Sequence, residues 1–522
     1  MPDLMLAPLP LLSAPPVQPI APEPVVGPLA MWPHQARFRQ GAQQSAQSVF
    51  DALDEELNPT VLLLGIPATT TAGADPNVSL EPLDAFPDRE RFLGVRQRGL
   101  TLQQEEPWPF RGYEVVSEWY EQWRQEGVSL RRAVQEVFDA DPASHKRISY
   151  VGMPVLVHNH FVLTVLQLNA KVVKRYAALQ PERYYTDGRP LATSLIQAVI
   201  IRFHEECWKA LNEPEAGLSL FMRPRDTDEL IRAAGRLFMD TPAQDLGLDP
   251  TLAKLFATCT TISSLRYEGA EGVGKLLLAR RRHPNLEEVF ALTCPTPLTD
   301  YRAVRKLLEM ATADVSLLAD GENVYALGRL VGHYDPARED LFVINFVKHY
   351  IWEFQHDGQV LMRANYGTPS LPRTRLNRTH FRRELRHTFG LTDSGKIERL
   401  WEVMMEASRQ KHGTLLVITT EALAEADRLK LQCTLIEPVP LTPLITRLIT
   451  AIDGAVLLDP DGYCYSIGVI LDGKATGRGT STRGARYNSA IRYVESSPYA
   501  CLAVVVSEDG LVDVITKENL GE

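Results

Sequence analysis

The sequence predicts an α/β domain at residues 385–522, preceded by a β-rich module at 246–372, a mainly helical domain at 39–245 and a proline-rich tail at 1–38. Three observations carry this. Apolar residues recur at helical spacing upstream, with Val116, Trp119, Tyr120 and Trp123 as one stripe and Leu195, Ile196, Val199, Ile200 and Phe203 as another. Between 315 and 362, short apolar runs alternate with Asp-Gly turns, Asp320-Gly321-Glu322-Asn323 and His356-Asp357-Gly358. Beyond Ser394, helical stripes alternate with single β-branched runs, the mark of an α/β unit.

The opening tail carries prolines at 2, 8, 10, 15, 16, 19, 22, 24, 28 and 33, too many for helix or sheet hydrogen bonding. The β-rich module reads as the helix 301–310 followed by strands at 315–318, 324–327, 341–346 and 360–362. Pro369 to Pro372, followed by Arg373, Arg375, Arg378, Arg382, Arg383 and Arg386, reads as a linker whose arginines form a solvated face.

In the last domain, Ser394 caps a helix with the stripe Ile397, Leu400, Trp401, Met404. Gly413 ends that helix before the strand 415–418, Thr420 caps a helix at 421–431, and Thr442-Pro443 opens another to Ile449. That helix runs into Ile452-Asp453-Gly454-Ala455 and the buried strand that follows. Two tiny residues behind an acid let a phosphate or metal approach the backbone, and Asp453 offers an oxygen to a hard cation. After the turn Asp459-Pro460-Asp461-Gly462, a strand covers 463–471, and a polar, glycine-rich loop leads to a helix at 485–495. Arg483, Gly484, Ala485 and Arg486 then stand at a helix N-terminus, where free N–H groups, the dipole and guanidinium forks favour phosphate. The strand 501–506 ends at Ser507-Glu508, whose hydroxyl and carboxylate reach the same place, and a last strand covers 511–515.

Composition bounds the function. A length of 522 residues exceeds one core, and the net charge of −10 argues against nucleic acid or an anionic membrane surface as the main partner. Six dispersed cysteines without a Cys-x-x-Cys pair indicate neither a zinc knuckle nor a disulfide framework. The first Lys or Arg is Arg37, so the start lacks the positive region of an export signal, and the expected setting is the cytoplasm.

In order and spacing, Asp453-Gly454-Ala455, a helix-opening Gly-x-Arg about thirty residues on, and Val506-Ser507-Glu508 resemble the diadenylate cyclase family. The resemblance covers about a quarter of the chain. It implies a mixed sheet flanked by helices, ATP as substrate, and a facing homodimer or higher homo-oligomer in which each copy donates one reactant to cyclic di-AMP. It also implies Mg²⁺ or Mn²⁺ on Asp453, catalytic roles for Asp453 and Arg486, and a nucleotide against Gly454, Ala455, Gly468, Leu471, Arg483, Gly484, Tyr487, Asn488, Ser507 and Glu508. Where the family has Gly-Thr-Arg-His-Arg, this chain has Gly484-Ala485-Arg486-Tyr487-Asn488. The lost imidazole and guanidinium leave the triphosphate less neutralised, so a domain that binds nucleotide and signals without turnover is the alternative. Divergent bacterial members carry a similar Arg-Tyr-Asn-Ser-Ala run behind a β-rich sensor module, which residues 300–372 resemble.

Three further signals are weaker. Gly269 to Lys275 matches Gly-x4-Gly-Lys, but Leu276 follows where a P-loop needs a hydroxyl, so it stands only as the competing nucleotide site. His158 and His160 on one strand face, or His204 with Glu205 and Cys207 on a helix, offer metal ligands without a third partner and read as ordinary structure. Arg280 to His283 reads as a solvated turn.

Overall fold

The computed structural model describes residues 31–68, 78–82, 89–105, 118–141, 145–180, 191–222, 226–249, 254–372, 378–408, 410, 413–473, 484–507 and 512–518. The chain divides into two compact units, Met1–Pro372 and Arg373–Glu522.

In the first unit, the predicted helical region contains helices at Gln35–Leu53, Val95–Glu105, Glu118–Asp139, Leu195–Leu211 and Thr227–Asp245. They enclose a five-stranded antiparallel sheet whose centre pairs Thr60–Pro67 with His160–Asn169. Both faces of Thr60–Pro67 are covered: Val61 and Leu63 join one core, and Leu62, Leu64 and Ile66 join another with Leu102 and Leu130. Burial on both faces explains why the strand reads as a continuous apolar run rather than an alternating one. The β-rich region forms an eight-stranded sheet, with Gly274–Ala279 parallel to Ser316–Ala319 and antiparallel to Leu341–Lys348. One hydrophobic core runs from Met31 to Leu371 through both regions.

The second unit comprises helices α1 (Arg378–Phe389), α2 (Ser394–Ala407), α3 (Ala422–Arg428), α4 (Pro443–Ile449) and α5 (Ala485–Ser496). Its strands are β1 (Thr414–Thr419), β2 (Thr434–Pro440), β3 (Ala455–Leu458), β4 (Tyr463–Val469), β5 (Cys501–Val506) and β6 (Val512–Thr516), in the order β2-β4-β3-β1-β5-β6. Among the described residues only β1 and β3 are parallel, so the sheet is mixed and flanked by helices, as the family resemblance implies. The alternation of β1 divides two cores: Leu415 and Val417 pack with Ala490, Ile491 and Val494 of α5, whereas Leu416 and Ile418 pack with Phe381, Leu385, Leu400 and Met404 of α1 and α2.

Several local readings change. The arginine-rich segment read as a linker is helix α1 from Arg378 onward, because Phe381 and Leu385 are buried four residues apart while Arg382, Arg383 and Arg386 stay exposed. Arg373 and Arg375 lie outside the described residues. Asp393, not Ser394, caps α2, accepting from the N–H of Gly395 at 2.7 Å, and the helix ends at its C-cap Ser408 rather than at Gly413. The α3 cap is Glu421 rather than Thr420 and makes no side-chain bond. Thr442 caps α4 as read, accepting from Ile445 N–H.

Candidate active site

The strand register brings Gly454 and Ser507 to one end of the mixed sheet. Leu415 pairs with Ala455 and Thr414 with Val506, so Gly454 at the mouth of β3 and Ser507 just beyond β5 flank the same end of β1. Here α4 ends and the chain turns through Ile452-Asp453-Gly454 into the sheet. Gly454 has φ +108°, and a Cβ there would stand 2.6 Å from the Gly468 carbonyl carbon. Gly468 in β4 has φ +61°. The two glycines therefore let the turn before β3 lie directly on β4, so the steric freedom that the sequence suggests for a ligand serves chain crossing on this side.

Asp453 points away from that crossing, with its side chain 88% exposed. Arg486, in the first turn of α5, donates from Nη2 to Asp453 Oδ1 at 2.7 Å. The Arg486 hydrogen bond and charge, joined by the Gly454 N–H, hold the Asp453 carboxyl below the ordinary carboxylate range. Gly484 caps α5 without a side chain, and nothing lies within 4 Å of where its Cβ would be. Gly484 thus opens a 12-residue helix, whose first N–H groups point out of its N-terminal end.

The other predicted residues divide. Ala455 is buried in β3, and Leu471 and Tyr487 pack partly against the core on the α5 side of the sheet. Asn488 lies half-buried in the first turn of α5, where its N–H bonds Gly484 O, and Ser507 is half-buried. Arg483 and Glu508 lie outside the described residues.

Sequence reasoning missed an adjoining network. Glu425 of α3 is 1% exposed and accepts from Tyr493 Oη at 2.7 Å and from Arg428 Nε and Nη2 at 2.8 Å each. Arg428 also grips Asp472 at 2.6 and 2.9 Å. These bonds, to Glu425 first, raise the Arg428 guanidinium above its ordinary range, while Arg428 lowers the Asp472 carboxyl. Burial, then the Glu425 bond, pushes the Tyr493 phenol up. The available signal was a Glu placed among Ala422, Ala426 and Leu429, on the apolar stripe of a helix.

The set-aside signals resolve structurally. Lys275 lies in the strand Gly274–Ala279, not at the start of a helix, so the Gly-x4-Gly-Lys match is not a phosphate loop. His158 occupies a turn at φ 52° while His160 starts the next strand, so they do not share a strand face. Among the described residues no group of three or more His, Cys, Asp or Glu side chains is placed to hold a metal. His283 is buried rather than solvated, with Nε2 3.0 Å from Asp340 Oδ1.

Residues 402–520 match the family model "DisA bacterial checkpoint controller nucleotide-binding". Residues 31–239 match "Probable sensor domain DACNG" and residues 253–358 "Probable sensor domain DACNH". No curated protein matches the chain. Among solved structures, a double mutant of DacA from Staphylococcus aureus is 15% identical, covering 24% of this chain and 85% of its own, with a TM-score of 0.21. A hypothetical membrane spanning protein from Bacillus cereus is 22% identical, covering 26% and 67%, also at 0.21. No helix among the described residues of the present chain is long and apolar enough to cross a membrane. The chain therefore carries at its C-terminal end a nucleotide-binding domain of the diadenylate cyclase (DAC) family, behind two domains matched to the sensor families DACNG and DACNH.

Proposed function

We propose that the C-terminal domain condenses two molecules of ATP into cyclic di-AMP, in a facing pair of copies within the cytoplasm, with the upstream domains controlling that pairing. The observation that carries this reading is the Asp453–Arg486 pair, an exposed acid and a helix-opening guanidinium brought together from positions 33 apart at the N-terminus of α5.

Each ATP would lay its triphosphate at Gly484 and Arg486, exchanging Asp453 for phosphate as the partner of the guanidinium. In each of two steps, the ribose 3′-oxygen of one ATP bonds to the α-phosphorus of the other. The bond from that phosphorus to the bridging oxygen breaks, pyrophosphate leaves, and the hydroxyl proton passes to water. Two copies must face, because each supplies one nucleophile and one electrophile, and positioning lowers the barrier. Asp453, held anionic by its neighbours, suits a cation rather than a proton. With no three-ligand cage among the described residues, it fits an ion such as Mg²⁺ or Mn²⁺ that takes one carboxylate and completes its shell from phosphate oxygens and water. When bound, that ion would neutralise the triphosphate and acidify the 3′-hydroxyl.

A second reading is favoured by Tyr487, which packs partly on the core where the family carries a basic side chain. The domain would then bind ATP and signal without chemistry. Calorimetry of ATP binding alongside pyrophosphate release, across divalent metals and protein concentrations, separates the two. Release rising with concentration supports the cyclase, and binding without release supports the sensor. If neither binding nor release occurs, both fail.

A further inference from the structure

We propose that Tyr493, held by Glu425, is a positioning residue that sets the rotation of α5 and thereby aims Arg486 at the nucleotide site. The consequence for turnover rests on the proposed cyclase activity; the geometric claim does not.

Arg486 and Tyr493 are seven residues apart on one helix, so their directions differ by only about 20°. A bond that fixes Tyr493 therefore fixes the heading of Arg486 two turns away. The other side chains that α5 buries, Ala490, Ile491 and Val494, are aliphatic and hold by packing without direction. Tyr493 is 1% exposed, and its hydroxyl gives a directional bond of 2.7 Å to a carboxylate that is itself 1% exposed. That carboxylate cannot swing aside, since Arg428 binds both its oxygens. The same Arg428 binds Asp472, and the adjacent Gly473 lies against α5, where a Cβ would stand 2.6 Å from the Arg492 carbonyl carbon. α5 is thus gripped at Arg492 and Tyr493, from α3 and from the chain just beyond β4. A buried acid with a phenol and a guanidinium is costlier to desolvate than an apolar cluster of equal volume, and what it adds is a unique orientation.

The test uses the full chain. With ¹⁵N-arginine labelling, and Arg486 assigned through its loss in Arg486→Lys, the wild-type Nη signals should be distinct because the ion pair hinders rotation. Tyr493→Phe should average them while leaving the melting temperature within a few degrees, since the ring still packs. Glu425→Gln keeps one acceptor for the phenol but turns its amide N–H₂ toward an Arg428 donor, so it should perturb the Nη signals less than Tyr493→Phe does. In turnover, Tyr493→Phe should lower kcat for pyrophosphate release about tenfold and add no loss in an Arg486→Ala background. An unchanged Arg486 signal in Tyr493→Phe, or an equal loss in both backgrounds, overturns the proposal. If the wild type neither binds nor turns over ATP, the cyclase reading falls and the ¹⁵N signals alone decide.

Discussion

Two acid–arginine contacts in the C-terminal unit lie one helix apart and obey opposite physics. Asp453 meets Arg486 with its carboxyl 88% exposed, whereas Glu425 meets Arg428 and Tyr493 with 1% exposure. In water, a single ion pair gains little and exchanges partners readily. Out of water, a carboxylate must keep every bond, because each one lost leaves a desolvated group unpaired. The exposed pair is thus suited to give way to a triphosphate and a cation, and the buried set to hold still while that happens.

The largest effect should come from breaking the buried set. Glu425→Ala leaves the Tyr493 hydroxyl buried without an acceptor, while Arg428, 45% exposed, can turn to water. The C-terminal unit should lose about 2 kcal/mol, measured by urea denaturation. Arg486→Ala should instead weaken ATP binding about tenfold, the value of one charge-assisted contact. A smaller effect appears in acid. Asp472 has its carboxyl lowered by Arg428, so its contribution is complete above the ordinary aspartate range and is lost as pH falls through the lower folded value. Denaturation midpoints should therefore drop below about pH 4, and Asp472→Asn should flatten that drop.

The exposed pair was largely legible in the sequence, because Asp453 precedes two tiny residues at a strand mouth and Arg486 opens a helix, both signals local to the chain. Thr442-Pro443 and the runs that became β1, β3 and β5 were legible for the same reason. The buried set was not, since Glu425, Asp472 and Tyr493 come together only through tertiary packing. Edge strand β2 was hidden by Glu437, Pro438 and Pro440, residues that suit an edge and argue against an interior strand. Thr60–Pro67, without alternation, cannot be told from a buried helix segment by period alone, so the sheet among the upstream helices went unread. The close contact of Gly454 with Gly468 had no signal, because their 14-residue separation is bridged by a bulged strand pair.

The most direct measurement of the central claim is mass spectrometry of the product formed when the full chain is incubated with ATP and Mn²⁺, with Asp453→Asn alongside. The exposed pair as the site of nucleotide chemistry predicts a cyclic dinucleotide from the wild type and at least a hundredfold less from the variant, with equal melting temperatures because the side chain is exposed. Undiminished product from Asp453→Asn would contradict it.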